Sequence, residues 1–217
     1  MTVAETAEST FIIRSFPVGP LQCNCSIVGD RVTGRAMIID PGGNAEQILA
    51  LVAELELNVV AIIHTHAHLD HILAAGEIKQ ATGASIYLHR DDKFLWDMLE
   101  QQCSMVGVPY TPLPEPDHYL TDDQDLACCG GVAIHTPGHS PGSMSFWFEE
   151  HSTLVAGDTL FQGSIGRTDL WGGDFPTIVS SIKERIYSLS DDAIVVTGHG
   201  PNTSIGSEKS NNNFVRA

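Results

Sequence analysis

The stretch Ile62-Ile63-His64-Thr65-His66-Ala67-His68-Leu69-Asp70-His71 ends an apolar run and places four histidines and an aspartate within eight positions. VVAIIH (59–64) reads as a buried strand, and HILAAGEIKQATG (71–83) has helical spacing that stops at Gly83. The cluster therefore sits at a strand-to-helix junction. In an extended segment His66 and His68 project to the same side; as the chain coils into the helix, Asp70 and His71 swing toward a second point nearby. Neutral imidazole suits zinc or iron, and a carboxylate oxygen beside it makes a site for borderline or hard dications. One short loop of this kind has room to serve two metal ions.

Working outward, FIIRSF (11–16), CNCSIVG (23–29) and RAMIID (35–40) read as a meander of short strands. AEQILALVAELEL (45–57) follows as a helix, with Ile48, Val52 and Leu55 on one face and Asn44 as its N-cap. Beyond the histidines come a strand ASIYLH (84–89), a helix around DKFLWDMLEQQ (92–102) and a proline-rich surface connection GVPYTPLPEPDH (107–118). Strands return at VAIHT (132–136), SMSFWFE (143–149) and TLVAGD (153–158); a helix FPTIVSSIKERIYSL (175–189) and a strand AIVVTGHG (193–200) follow. Two sets of strands, each accompanied by helices, predict an α/β layered sandwich in a single domain over 1–217.

The chain carries 11 basic against 27 acidic side chains, a net charge of -16, which repels polyanions and argues against a nucleic-acid partner. The N-terminal MTVAETAEST has neither the basic nor the apolar segment of a secretory signal, and no run of apolar residues is long enough to span a membrane. The expectation is a cytoplasmic protein with no membrane partner. Five cysteines, Cys23, Cys25, Cys103, Cys128 and Cys129, are an odd number with two closely spaced pairs, so they are read as reduced. Cys23 and Cys25 lie in an apolar run and are expected to be buried structural residues rather than metal ligands.

Three more candidates occur immediately after apolar strands and inside glycine-rich turns: His139 in TPGHSPGS, Asp158 in LVAGDTL and His199 in VVTGHGP. Glycine beside each lets the backbone turn tightly and leaves room for an ion.

HxHxDH at 66–71, followed in order by GHSPGS, GDTLF and TGHGP, resembles the metallo-β-lactamase superfamily over most of the chain. The resemblance implies that superfamily's four-layered αβ/βα sandwich. It also implies that His66, His68 and His139 hold one metal, Asp70, His71 and His199 a second, and that Asp158 bridges them. Two zinc ions are the cofactors so implied, with iron or manganese as alternatives at the same site. Two dications against two aspartates and a bridging hydroxide leave the site about one unit positive, able to stabilise an oxyanion on an acidic protein. A water on such a metal has its pKa lowered from 15.7 to about 7, which makes a bridging hydroxide the nucleophile while a metal polarises the attacked carbonyl. Asp70 and Asp158 thus combine ligation with orientation of that nucleophile. HxHxDH fits only from His66, because starting at His64 it would need aspartate at His68 and histidine at Leu69. His64 is therefore expected to support the site or the core without touching metal.

LQCNCSIVGD, the DPGG turn and GDTLFQGSIGRTDL most resemble the glyoxalase II (hydroxyacylglutathione hydrolase) branch, specifically its shorter relatives. That resemblance implies hydrolysis of a small thioester, including a glutathione thioester. Only 18 residues follow His199, so the branch's added C-terminal helical segment has no counterpart here. Arg167 falls where the branch places a basic glutathione contact and is the candidate substrate-binding residue, the alternative being that it pairs with Asp169 or another acid to hold the loop; Asp169 stands where the branch has a tyrosine. Two alternatives remain open: a mononuclear-iron persulfide dioxygenase using His66, His139 and Asp158, and a non-catalytic metal-stabilised binding protein. The absence of an export signal points away from a β-lactamase role. His89, His118, His135 and His151 are expected on the surface or in the core, Trp96, Trp147 and Phe148 as core or cover, and Trp171 and Phe161 as candidates for an apolar pocket mouth.

Overall fold

The computed structural model describes residues 10–216; the polar stretch before Thr10 lies outside the described residues. Six strands form a first sheet in sequential order: β1 Phe11–Val18, β2 Cys23–Asp30, β3 Arg35–Ile39, β4 Asn58–Ile63, β5 Ser85–His89 and β6 His118–Leu120. The first three are the antiparallel meander read from the sequence, and β3 to β6 pair in parallel. The second sheet contains β7 Gln124–Asp125, β8 Val132–His135, β9 Met144–Phe148, β10 Thr153–Gly157, β13 Ile194–Thr197 and β14 Thr203–Ser204, in the order β14-β13-β10-β9-β8-β7. A small ribbon, β11 Leu160–Phe161 with β12 Ser164–Ile165, follows β10.

The pleat sorts the apolar residues into layers. Met37, Ile39, Ala61 and Ile63 of the first sheet meet Ala133, Phe146, Phe148, Val155 and Val196 of the second in a central core. The alternate residues Ile38, Ile62 and Ile86 face out against helices α1 Ala45–Glu54, α3 Ala75–Thr82 and α5 Leu99–Val106. On the other side Leu154, Ala156 and Val195 pack against α6 Phe175–Ser181, its continuation over Ile182–Ile186, and α7 Ile205–Asn211. Helix, sheet, sheet, helix is the four-layered αβ/βα sandwich expected. The short helices α2 Leu69–Ile72 and α4 Lys93–Asp97 complete the set.

Several local expectations need correction. The helix read over 71–83 is two helices, α2 and α3, because the Ala74 N–H donates to the Pro41 carbonyl instead of continuing the helix. Asn44 does precede α1, but its side chain makes no cap; its Oδ1 accepts the Gly19 N–H at 2.6 Å and ties the β1–β2 turn to the α1 entry. The helix over 92–102 breaks at Met98 into α4 and α5 and runs on to Val106. Beyond His199 the chain adds an edge strand and α7, whose Ile205 is buried in the outer layer.

Candidate metal centre

β3 and β4 run parallel, as do β10 and β13, and β8 points the same way as β10 through the antiparallel β9. The segments following β3, β4, β8, β10 and β13 therefore emerge at one rim, carrying Asp40, His64 to His71, His139, Asp158 and His199. The two sheets are stitched there by backbone bonds from Met144 N–H to Thr65 O and from Asn24 N–H to Gly198 O, both 2.7 Å. His68 ends the extended run, and Asp70 and His71 occupy the single turn of α2, which is how the local coiling turns them to a different point.

All seven residues singled out by the motifs converge. His139 Nε2 lies 2.9 Å from His68 Nδ1 and 3.2 Å from His66 Nε2. His199 Nε2 lies 3.1 Å from Asp70 Oδ2, and His71 Nε2 lies 3.8 Å from the same oxygen. Asp158 sits between the groups, 3.6 Å from His139 Nε2, 3.5 Å from His71 Nε2 and 3.8 Å from His199 Nε2. The ligand atoms form compact triads: His66, His68 and His139; Asp70, His71 and His199; and His66, His71 and Asp158.

Outer hydrogen bonds set which nitrogen of each ring faces inward. Thr65 Oγ1 donates to Asp40 Oδ2 at 2.6 Å and so accepts from His66 Nδ1 at 3.0 Å. His71 Nδ1 donates to Asp40 Oδ2 at 3.0 Å, and His139 Nδ1 donates to the Arg167 carbonyl at 2.8 Å. Each of these rings then turns its Nε2 to the centre. Burial, reinforced by neighbouring imidazoles, pushes His66 well below the usual histidine range and His68 down to about 3, so both stay neutral. Burial would also lower His71, but the charges of Cys23, Asp158, Asp40 and Asp70 outweigh it and raise it. Burial pushes the Asp70 carboxyl up, yet His71 and the bond from His199 hold it well below the usual carboxylate range. Buried His71 Nε2 and Asp158 Oδ1 have no hydrogen-bond partner among the described residues. Lone pairs gathered this closely, with two inward atoms unpartnered, fit a pair of dications of the N/O-ligand type.

Sequence reading missed the side chains that hold these loops. Asp40 also accepts the Thr65 N–H at 2.7 Å; it carried the same signal as the other candidates, an acid closing an apolar strand before paired glycines. Asp92, fully buried, accepts from Ala67 N at 3.0 Å and Ser140 Oγ at 2.7 Å through Oδ2, and from Gly142 N at 2.6 Å through Oδ1. Burial raises its pKa, and these donors pull it back. Cys23 and Cys25 are buried as expected, but Cys23 Sγ also touches His71 Nδ1 at 3.4 Å. His64 keeps off the cluster: its Nδ1 donates to the His71 carbonyl at 3.1 Å, its ring meets the edge of Trp96, and burial lowers its pKa to about 4. His89 and His135 stack on one another, His151 stacks on Phe11, and His118 packs on Tyr87, all apart from the seven.

A cavity of about 400 Å³ opens over the cluster, lined by His68, Asp70, His139, Asp158 and His199 on its floor and by Arg167 and Trp171 at its mouth. Phe161 is set back, its ring centroid 6.5 Å from that of His199. Arg167 reaches the mouth, but its Nε and Nη2 donate to the two oxygens of Asp169 at 2.7 and 2.8 Å.

Residues 18–199 match the family model described as metallo-beta-lactamase superfamily. The chain belongs to that superfamily. It is 40% identical over 209 residues to the hydroxyacylglutathione hydrolase GloC of Haemophilus influenzae, covering 94% of this chain and 98% of the relative. Among solved structures, the B3 metallo-beta-lactamase BLEG-1 superposes with a TM-score of 0.88 at 37% identity, covering 95% of this chain and all of that one. TTHA1623, solved in a di-iron-bound form, superposes with a TM-score of 0.86 at 35% identity over 93% of this chain. The protein is thus a metallo-hydrolase of this superfamily. Among the described residues no helix is long and apolar enough to cross a membrane.

Proposed function

We propose that the protein is a two-metal thioester hydrolase of the glyoxalase II type acting on a small molecule. The observation that carries this reading is the convergence of seven histidine and aspartate side chains in compact triads, five of which line the floor of one cavity. In this reading His66, His68 and His139 hold one ion, Asp70, His71 and His199 the other, and Asp158 lies between them. The ions, zinc in this proposal, supply Lewis acidity and a hydroxide nucleophile at neutral pH. The chain's own residues do the rest. Asp40, Thr65 and the Arg167 carbonyl fix the imidazole tautomers, and Asp70 and Asp158 orient the attacking water by their carboxylates. The cavity admits a substrate to buried His68, Asp70 and His139 and to half-buried Asp158 and His199.

An iron dioxygenase of the mononuclear kind would use only His66, His139 and Asp158; the four further groups aimed into the same cluster support the two-metal reading instead. The GloC relative supports a thioester as substrate, with glutathione as one thiol to test. The test is metal analysis of purified protein coupled to a panel of acyl thioesters on glutathione and on unrelated thiols, with oxygen consumption recorded alongside. About two metal ions per chain and thioester turnover without oxygen uptake are expected. One iron per chain with persulfide-dependent oxygen uptake would replace this reading.

A further inference from the structure

The mouth of the cavity is chemically unlike its floor. Leu21 in the β1–β2 turn is 41% exposed, and Met105 and Val106 at the end of α5 are 66% and 46% exposed; all three line the cavity. They are three of the nine large apolar side chains left exposed among the described residues, brought from two separate elements to one rim. Leu170 and Trp171 extend the same wall from the loop after β12. Apolar surface left in water is unfavourable, and its gathering around a ligand-bearing cavity marks what the cavity receives.

Charge at the mouth points the same way. Among the described residues Arg167 is the one lysine or arginine lining the cavity, and its Nε and Nη2 each donate a hydrogen bond to Asp169. Arg167 and Asp169 form one net-neutral, hydrogen-bonded unit, which weakens the pull of Arg167 on a substrate carboxylate.

We infer that the non-reacting part of the thioester is apolar and uncharged and lies on the wall of Leu21, Met105, Val106 and Trp171, and that Asp169 sets this preference by occupying Arg167. The inference rests on the thioester reading and names its substrate class. An anionic thiol such as glutathione is then the poorer carrier for the same acyl group.

The experiment uses the metal-loaded full chain with acetyl, butanoyl, hexanoyl and octanoyl thioesters, each on a small neutral thiol and on glutathione. Alkyl thioethers of the same lengths, which have no bond to cleave, are measured by calorimetry. Both kcat/KM and thioether affinity are expected to rise up to about fourfold per methylene until the wall is covered, the factor that burial of one CH₂ group supports. The neutral-thiol series should exceed the glutathione series at each length. Met105→Gln with Val106→Thr should flatten the slope below about twofold per methylene at wild-type metal content. Asp169→Asn should raise the ratio of glutathione to neutral turnover, and Arg167→Gln in that background should abolish the rise. Thioester turnover with no chain-length slope, or a wild-type preference for glutathione, would overturn this inference alone. No turnover on any member by protein holding two metal ions would overturn the thioester reading, and this inference with it.

Discussion

Asp92→Asn isolates what the strap between the ligand loops contributes. One Asp92 oxygen takes Gly142 N–H, and the other takes Ala67 N–H and Ser140 Oγ. Ala67 lies between His66 and His68, and Ser140 follows His139, so one carboxylate fixes the three residues assigned to one metal. Asparagine has the same shape, but whichever way its amide turns, an NH₂ faces a backbone N–H. Leaving one buried N–H without an acceptor costs roughly 1–3 kcal/mol, and exchanging charge-assisted bonds for neutral ones costs about 1 kcal/mol each. The sum, roughly 2–5 kcal/mol, falls partly on the fold and partly on the metal, where loss of an outer partner weakens affinity about 10- to 100-fold. Chelator competition on the two-metal protein should show one step shifted by that factor. The other step, which depends on His71 oriented by Asp40, should stay within about threefold. Thermal unfolding of the metal-free variant separates the share borne by the fold. Equal shifts of both steps, or none, would refute the assignment of Asp92 to one loop pair.

Gly198→Ala places a Cβ into Asp158 Oδ1 and the Gly157 carbonyl group, so the shared carboxylate must move; a loss of at least one bound metal ion per chain is expected by elemental analysis. His64→Leu should leave metal stoichiometry intact while destabilising the fold by about 1–3 kcal/mol through the His71 carbonyl it deserts, whereas His66→Ala should lower stoichiometry; equal metal losses would contradict the separation of the two. On the surface, burial nudges Asp117 up, but Lys79 and the Ile86 N–H hold its carboxyl below the usual range. Its stabilising contribution is therefore present above the unfolded carboxylate pKa and lost as pH falls through the folded value. Lys79→Met should cost under about 1 kcal/mol in denaturant titrations at neutral pH, and nothing once Asp117 is protonated.

The layers of the fold and the seven converging groups were legible because their signals are local. Period-two and helical spacing mark faces, four ligand candidates cluster at the end of one apolar strand, and three more directly follow apolar strands inside glycine-rich turns. Asp92 had no such signal. It directly precedes α4, and its role exists only because that stretch packs across the loops at Ala67 and Ser140. Asn44 looked like a cap by its neighbours in sequence, yet Gly19 arrives from another turn and takes its oxygen. The division of 71–83 into two helices depends likewise on the distant Pro41 carbonyl. In each case the deciding partner is brought by tertiary packing, which composition and spacing do not encode.

The most direct test strips the protein with chelator and restores metal stepwise while following acyl-thioester turnover and thermal stability together. The two-metal hydrolase predicts that turnover returns in full only as the second equivalent binds. It also predicts a rise in stability, about 2.7 kcal/mol when free metal reaches a hundred times its dissociation constant for a single site. Full turnover with one equivalent, or with none, would contradict it.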